Sequence, residues 1–126
     1  MFKSIGKIQV NDGIRIVANL DLIRYYKKLI DFDCYNTQKL QLPTHGAHVT
    51  IVNPKIHKKV RWWECKNYHG QLVEFEYYPE AAYVSSVNYW LPVGCEFAMQ
   101  IIDKLKVDNG DNWWGLHLTI CNRKFN

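Results

Sequence analysis

Two short stretches decide how this chain folds: AHVTIV at residues 47–52 and LHLTIC at residues 116–121. Each is an apolar run that contains the tripeptide His-x-Thr, and its length and composition are typical of a β-strand. Side chains alternate between the two faces of a strand, so His48 and Thr50 share one face, and His117 and Thr119 do the same. Each segment therefore offers one imidazole and one hydroxyl, backed by an aliphatic face that can pack on a core.

These residue types favour proton-transfer chemistry on a phosphate if the two strands lie side by side. Histidine has an ordinary pKa near 6.5, so one imidazole can remove a proton while the other, protonated, donates one. Hydroxyls of Thr50 and Thr119 can donate hydrogen bonds to phosphate oxygens as charge develops there. A single histidine in an apolar strand is most often structural, but two copies of the same tripeptide favour a functional pair. We therefore expect His48 and His117 to act together, without a metal or other cofactor.

Length and composition indicate a single globular domain that spans residues 1–126. Of the 126 residues, 48% are apolar, which is typical of a globular domain, and no apolar run reaches the length of a membrane span. The N-terminus lacks the apolar core of a signal peptide, so we expect a soluble, cytoplasmic protein with no membrane partner. The net charge of +4 favours a small anionic ligand over duplex nucleic acid. The four cysteines show no metal-binding spacing and are predicted to be reduced thiols.

Turn residues and apolar periodicity predict an alternation of strands and helices. The predicted elements are strands at 7–10 and 14–18, a helix at 20–32 with Asn19 as its N-cap, the first motif strand, a hairpin formed by 71–78 and 82–93, a helix at 96–107 and the second motif strand. Pro92 is predicted to end the second hairpin strand. This order indicates an α+β fold, a sheet with helices packed on one side.

Four blocks of sequence resemble one family. DLIRYYKKLI (21–30), KLQLPTHGAHVTIV (39–52), YWLPVGCEFAMQIIDKLKV (89–107) and GLHLTI (115–120) cover about two fifths of the chain in the order that the family shows. In these blocks the chain resembles the two-histidine (2H) or LigT-like phosphoesterases, and most closely their compact phage-type, RNA-repair-like branch. One departure follows the first motif: an arginine-glycine-acid turn is common in that branch, whereas this chain has Asn53-Pro54-Lys55.

The resemblance implies a fold and an activity. The fold would be two pseudo-symmetric lobes of antiparallel sheet, with helices on the outer faces and a central groove between the motifs. The activity would be metal-independent cleavage of a phosphodiester, with His48 and His117 as the acid–base pair and Thr50 and Thr119 holding the phosphate. Phage relatives of the anti-CBASS type make a cyclic oligonucleotide signal the favoured substrate, met in the host cytoplasm if the chain is phage-encoded.

Two alternatives stay open from the sequence. One is the processing of 2′,3′-cyclic phosphates at RNA or tRNA ends, and the other is a non-catalytic module that sequesters a nucleotide. The motifs do not indicate which histidine is the acid, and the oligomeric state is not predicted.

Substrate-binding candidates are the residues that could reach a ligand from the flanks of the motifs. They are Lys55, as a cation after the first motif, Tyr25, on the first helix, and Trp113 and Trp114, which precede the second motif and could stack on a base. His45, His57 and His69 are interpreted as loop residues.

Overall fold

Both His-x-Thr segments are strands of one antiparallel sheet in the computed structural model, which describes residues 1–33, 40–84, 88–110, 113 and 115–123. The strands are β1 (Phe2–Val10), β2 (Ile14–Val17), β3 (Leu40–Gln41), β4 (His48–Val52), β5 (Leu72–Tyr77), β6 (Tyr83–Val84), β7 (Asn88–Gly94) and β8 (His117–Arg123). The helices are α1 (Leu20–Asp33), α2 (Glu96–Leu105) and two 3-10 segments, Trp62–Tyr68 and Pro79–Ala81. The predicted α+β class is confirmed.

The sheet closes on itself. Its strand order is β3-β8-β4-β2-β1-β5-β7-β6, and β7 also pairs with β8. Six strands therefore form an antiparallel barrel, with β3 and β6 attached as short extra strands. The contact between β5 and β7 is brief, because only Glu76–Gly94 and Tyr77–Val93 are paired. By contrast, five residue pairs join β7 to β8.

One face of the strands forms the core. Val49 and Leu118 of the motif strands are fully buried there, as are Ile8 of β1 and Ile16 of β2. Helix α1 contributes Ile23 to this core, and α2 contributes Ala98, Ile101 and Ile102. The opposite face carries the motif side chains and stays accessible to solvent.

The first helix begins as predicted. The backbone N–H of Asp21 donates a hydrogen bond of 2.9 Å to Asn19 Oδ1, which satisfies one of the free donors at the helix start. Neither α1 nor any other helix of the described residues is long and apolar enough to cross a membrane.

The first strand is longer than predicted. It begins at Phe2 rather than at residue 7, because pairing with β5 extends it from Phe2–Tyr77 to Lys7–Leu72. The prediction missed residues 2–6 because Ser4 and Gly6 occupy the core-facing positions, where an alternating strand would have apolar residues.

The prediction that Pro92 ends its strand is wrong. β7 continues to Gly94, and Pro92 lies opposite His117 of β8. Proline lacks only the N–H donor, and its carbonyl accepts a hydrogen bond of 3.1 Å from Tyr78 N. The predicted hairpin is wrong in its register. β6 and β7 pair with each other, so Tyr77 lies opposite Val93, at the far end of the predicted second strand, and not opposite a residue next to the turn.

Three of the cysteines are free thiols within the core. Cys65, Cys95 and Cys121 are all buried and unbridged, as predicted. Cys34 lies outside the described residues.

Truncating Ile23 tests the packing of α1 on the core face. We expect Ile23→Ala to lower the free energy of unfolding by about 2 to 5 kcal/mol, because the side chain is fully buried. Leu29→Ala on the same helix is the matched control, since Leu29 is 46% exposed and its loss should cost less than about 1 kcal/mol. Urea denaturation measures both, and equal losses would contradict this packing of α1.

Candidate active site

The two motif strands are neighbours in the sheet. Val49 of β4 pairs with Leu118 of β8, in antiparallel register. The neighbouring residues of both strands point to the opposite face of the sheet, away from the core. On that face the register places His48 opposite Thr119 and His117 opposite Thr50. The two histidines are then diagonal neighbours, at about 7 to 8 Å between strand positions. The two imidazoles predicted to act together thus lie on one surface, each beside a threonine.

Both imidazoles are held in the same way. His48 Nδ1 lies 3.1 Å from the carbonyl oxygen of Gly46, and His117 Nδ1 lies 3.2 Å from that of Gly115. A carbonyl can only accept, so each Nδ1 carries the proton and donates it. In the neutral ring, Nε2 is then the basic nitrogen, and neither Nε2 has a hydrogen-bond partner among the described residues. Both rings are therefore oriented to exchange a proton through Nε2.

The two glycines that accept these hydrogen bonds, Gly46 and Gly115, were not among the predicted site residues. Gly46 has φ 75° and Gly115 has φ 92°, in the left-handed region that favours glycine. Each lies two residues before its histidine, and this conformation presents the glycine carbonyl to the imidazole. The available signal was the longer repeat Gly-x-His-x-Thr, which both segments share.

The residues between glycine and histidine are also held alike. The Ala47 carbonyl accepts a 2.9 Å hydrogen bond from the N–H of Ala18, just after β2. The Leu116 carbonyl accepts a 2.9 Å hydrogen bond from the N–H of Val93 in β7. Thus β2 supports the first motif in the way that β7 supports the second.

The loop histidines are bonded in the opposite sense. Val10 N–H donates to His69 Nδ1 at 2.9 Å, and Asn53 N–H donates to His57 Nδ1 at 3.0 Å. Nδ1 is the acceptor in both, so the proton of the neutral ring lies on Nε2, and in His57 this nitrogen meets Asn109 Oδ1 at 3.0 Å. These rings hold loops in place through both their donor and acceptor positions or through Nδ1, whereas Nε2 of each motif histidine has no hydrogen-bond partner in the described part of the chain.

The two motif histidines differ in environment. His48 is half-buried, whereas His117 is exposed. Burial lowers the pKa of His48 below its usual value, and the hydrogen bond to the Gly46 carbonyl opposes part of this change. The positive charges of Arg15, His45 and His117 lower the pKa of His48 further. His48 is therefore driven toward its neutral form.

Two more side chains flank the motifs, and sequence reasoning missed both. Arg15 of β2 pairs with Thr50, and Trp90 of β7 pairs with Thr119. The Trp90 ring lies 5.1 Å from the His117 ring and stacks on Tyr83 at 4.8 Å. The alternation in Ile-Arg-Ile-Val turns Arg15 away from the core, but its position beside Thr50 depends on a pairing between distant strands.

Two of the predicted substrate-binding residues, Tyr25 and Lys55, lie outside the motif strands. Tyr25 lines a cavity of about 440 Å³ with Phe2, Tyr26 and Tyr77, and no motif residue lines that cavity. Lys55 is exposed in the turn after β4, where its N–H donates to Asn53 Oδ1. The role of both residues in binding substrate stays a prediction.

The tryptophans before the second motif are described only in part. Trp113 is 38% exposed, as a stacking residue would be. Trp114 lies outside the described residues, so the structure does not address its predicted role. His45, interpreted as a loop residue, is exposed three residues before His48.

Comparisons with known proteins add no relative. No protein-family model, no curated protein and no solved structure matches the chain. The resemblance to the 2H phosphoesterases therefore rests on the motif residues and their flanks, and it stays a prediction. Within the described residues, no group of three or more His, Cys, Asp or Glu side chains is placed to hold a metal ion.

The tautomer of the motif histidines is directly measurable. We expect two-bond ¹H–¹⁵N correlation spectra at high pH to show the Nδ1-protonated ring for His48 and His117, because each donates to a glycine carbonyl. His57 and His69 serve as internal controls and should show the Nε2-protonated form. An Nε2-protonated His48 or His117 would contradict the proposed orientation of the site.

The pKa of His48 can be followed by NMR titration. We expect its midpoint below about 6.5, and we expect Arg15→Gln to raise it by removing a positive charge. Because the unfolded chain then takes up this proton first, His48 should make the protein less stable as pH falls below about 6.5. A midpoint at or above the ordinary value would contradict the burial argument.

Proposed function

We propose that this chain is a metal-independent 2H phosphodiesterase that cleaves a small ribonucleotide phosphodiester. One observation carries the proposal: two imidazoles on one accessible sheet face, each anchored through Nδ1 to a glycine carbonyl and each with Nε2 unpartnered among the described residues. An acid–base pair needs this arrangement, because one Nε2 must accept a proton while the other gives one up. A cyclic oligonucleotide signal is our favoured substrate.

We infer the roles of the two histidines from their unequal burial. His48, whose pKa is lowered by burial, is the general base, and its Nε2 takes the proton of the attacking 2′-hydroxyl. The 2′-oxygen bonds to phosphorus as the bond to the 5′-oxygen breaks. His117 Nε2 donates its proton to that leaving oxygen. The products are a 2′,3′-cyclic phosphate and a free 5′-hydroxyl, and attack by water would give a linear phosphate instead.

The threonines stabilise the charge that develops on phosphate. Thr50 lies opposite His117, and Thr119 lies opposite His48, so a phosphate placed between the two Nε2 atoms also has a hydroxyl on either side. Each hydroxyl can donate to a non-bridging oxygen, where negative charge grows in the transition state.

We include the two-lobed arrangement and its central groove in the proposal. One lobe would centre on β4 and β2, and the other on β8 and β7. The matched carbonyl contacts of Ala47 and Leu116 support this division, as does the repeat of Gly-x-His-x-Thr. The proposed groove runs between the lobes, above the Val49–Leu118 pair.

Turnover of defined substrates tests the proposal. The protein is incubated, with chelator present, with cyclic di- and trinucleotides and with RNA that ends in a 2′,3′-cyclic phosphate. We expect His48→Ala and His117→Ala each to lower turnover by about 10²- to 10⁴-fold, because each removes one proton-transfer step. His45→Ala is the matched control, since it removes an exposed histidine nearby, and it should change turnover less than about threefold.

Each outcome distinguishes among the candidates. Loss of cyclic oligonucleotide with a bell-shaped pH dependence supports the proposal. Turnover confined to RNA ends would instead assign the site to cyclic-phosphate processing, and stoichiometric capture without product would indicate a sequestering module. Wild-type rates in either histidine variant would refute the acid–base pair.

A further inference from the structure

Two cations share the sheet face that carries the motifs. Lys7 of β1 pairs with Val17, which pairs with His48, so the three residues form one row across the sheet. Arg15 lies in the next row, between Gln9 of β1 and Thr50 of β4. Lys7 and Arg15 are thus diagonal neighbours at one edge of the proposed active site.

The guanidinium of Arg15 is turned away from the motifs. Its Nε donates a hydrogen bond to the side-chain oxygen of Gln9, on the side of β2 opposite to β4. This bond fixes the planar group above the β1–β2 ladder and leaves its terminal N–H groups for a ligand. The group is therefore held in place before any ligand binds.

Neither cation has a countercharge among the described residues. Among the described residues, no carboxylate lies within 4.0 Å of Lys7 or Arg15. Lys3, on the same face of β1, does contact a carboxylate, with Nζ 3.7 Å from Glu74 Oε1. On this face of β1, Lys7 at the end nearest the motifs thus differs from Lys3, which has a carboxylate partner.

The distance between neighbouring strands places Lys7 and Arg15 away from the scissile phosphate. A phosphate held by both motifs lies midway between β4 and β8, and β1 lies two strands beyond β4. At about 4.8 Å per strand, the β1–β2 ladder is about 10 Å from that centre. The sugar between two successive phosphates of a nucleotide strand, together with the reach of a lysine or arginine, can span this distance.

We propose that Lys7 and Arg15, with Gln9 as a positioning residue, bind a second phosphate of the substrate. This inference rests on the proposed function, because the motifs hold the first phosphate. It narrows the substrate class to nucleotides with at least two phosphates, such as a cyclic dinucleotide or a longer oligonucleotide. A mononucleoside cyclic phosphate would leave this subsite empty.

The subsite is tested by comparing how the wild-type protein and its variants bind uncleavable probes with and without an extra phosphate. The deoxydinucleotide TpT and its 5′- and 3′-phosphorylated forms lack the 2′-hydroxyl, so they cannot be cleaved by its attack. We expect one terminal phosphate to tighten binding to the wild-type protein by about tenfold in calorimetry, the effect of a charge-assisted hydrogen bond. Arg15→Gln should abolish this gain, and Lys7→Gln should reduce it, while both leave the affinity for TpT within about twofold.

A control variant removes one positive charge at a site away from the proposed subsite. Lys28→Gln alters an exposed lysine of α1 and should keep the full gain. The proposal is overturned if the gain survives Arg15→Gln, if no terminal phosphate tightens binding, or if Arg15→Gln weakens TpT as much as the phosphorylated probes. The last result would place Arg15 at the scissile phosphate. Absence of turnover contradicts the proposed function separately, since this comparison measures binding alone.

Discussion

The pairing of Val49 with Leu118 is the constraint on which the site depends. Both side chains are fully buried, so they fix which face of β4 and of β8 turns toward the core. A slip of one residue would bury His48 and Thr50 and expose Val49, which costs apolar burial and leaves polar groups without partners. The apolar core therefore holds both motif histidines on the accessible face.

The two motif segments have similar backbone conformations, but their histidines lie in different environments. Gly46 and Gly115 adopt the same left-handed conformation and orient the two imidazoles in the same way. His48 is half-buried near Arg15, whereas His117 is exposed beside Trp90. Equivalent geometry gives both rings an available Nε2, and unequal burial lets them take different roles in proton transfer.

Local pattern was enough to predict the parts of the fold that depend on neighbouring residues. Alternation in the motif segments predicted both strands and their faces, and Asn19 marked the start of α1. Closure of the barrel through β7 and β8 could not be predicted, because that pairing joins distant residues and Pro92 indicated a break. The positions of Arg15 and Trp90 likewise depend on which strands are neighbours. The motif glycines carried a local signal that the shorter His-x-Thr pattern did not include.

Whether His48 and His117 act on one phosphate can be seen in a crystal structure with a bound nucleoside vanadate, which mimics the geometry of a phosphorus atom under attack. We expect the vanadium to lie between His48 and His117, with both Nε2 atoms and both threonine hydroxyls within hydrogen-bonding distance of its oxygens. Vanadate bound elsewhere, or imidazoles whose Nε2 atoms point away from it, would show that the two histidines do not act as a pair.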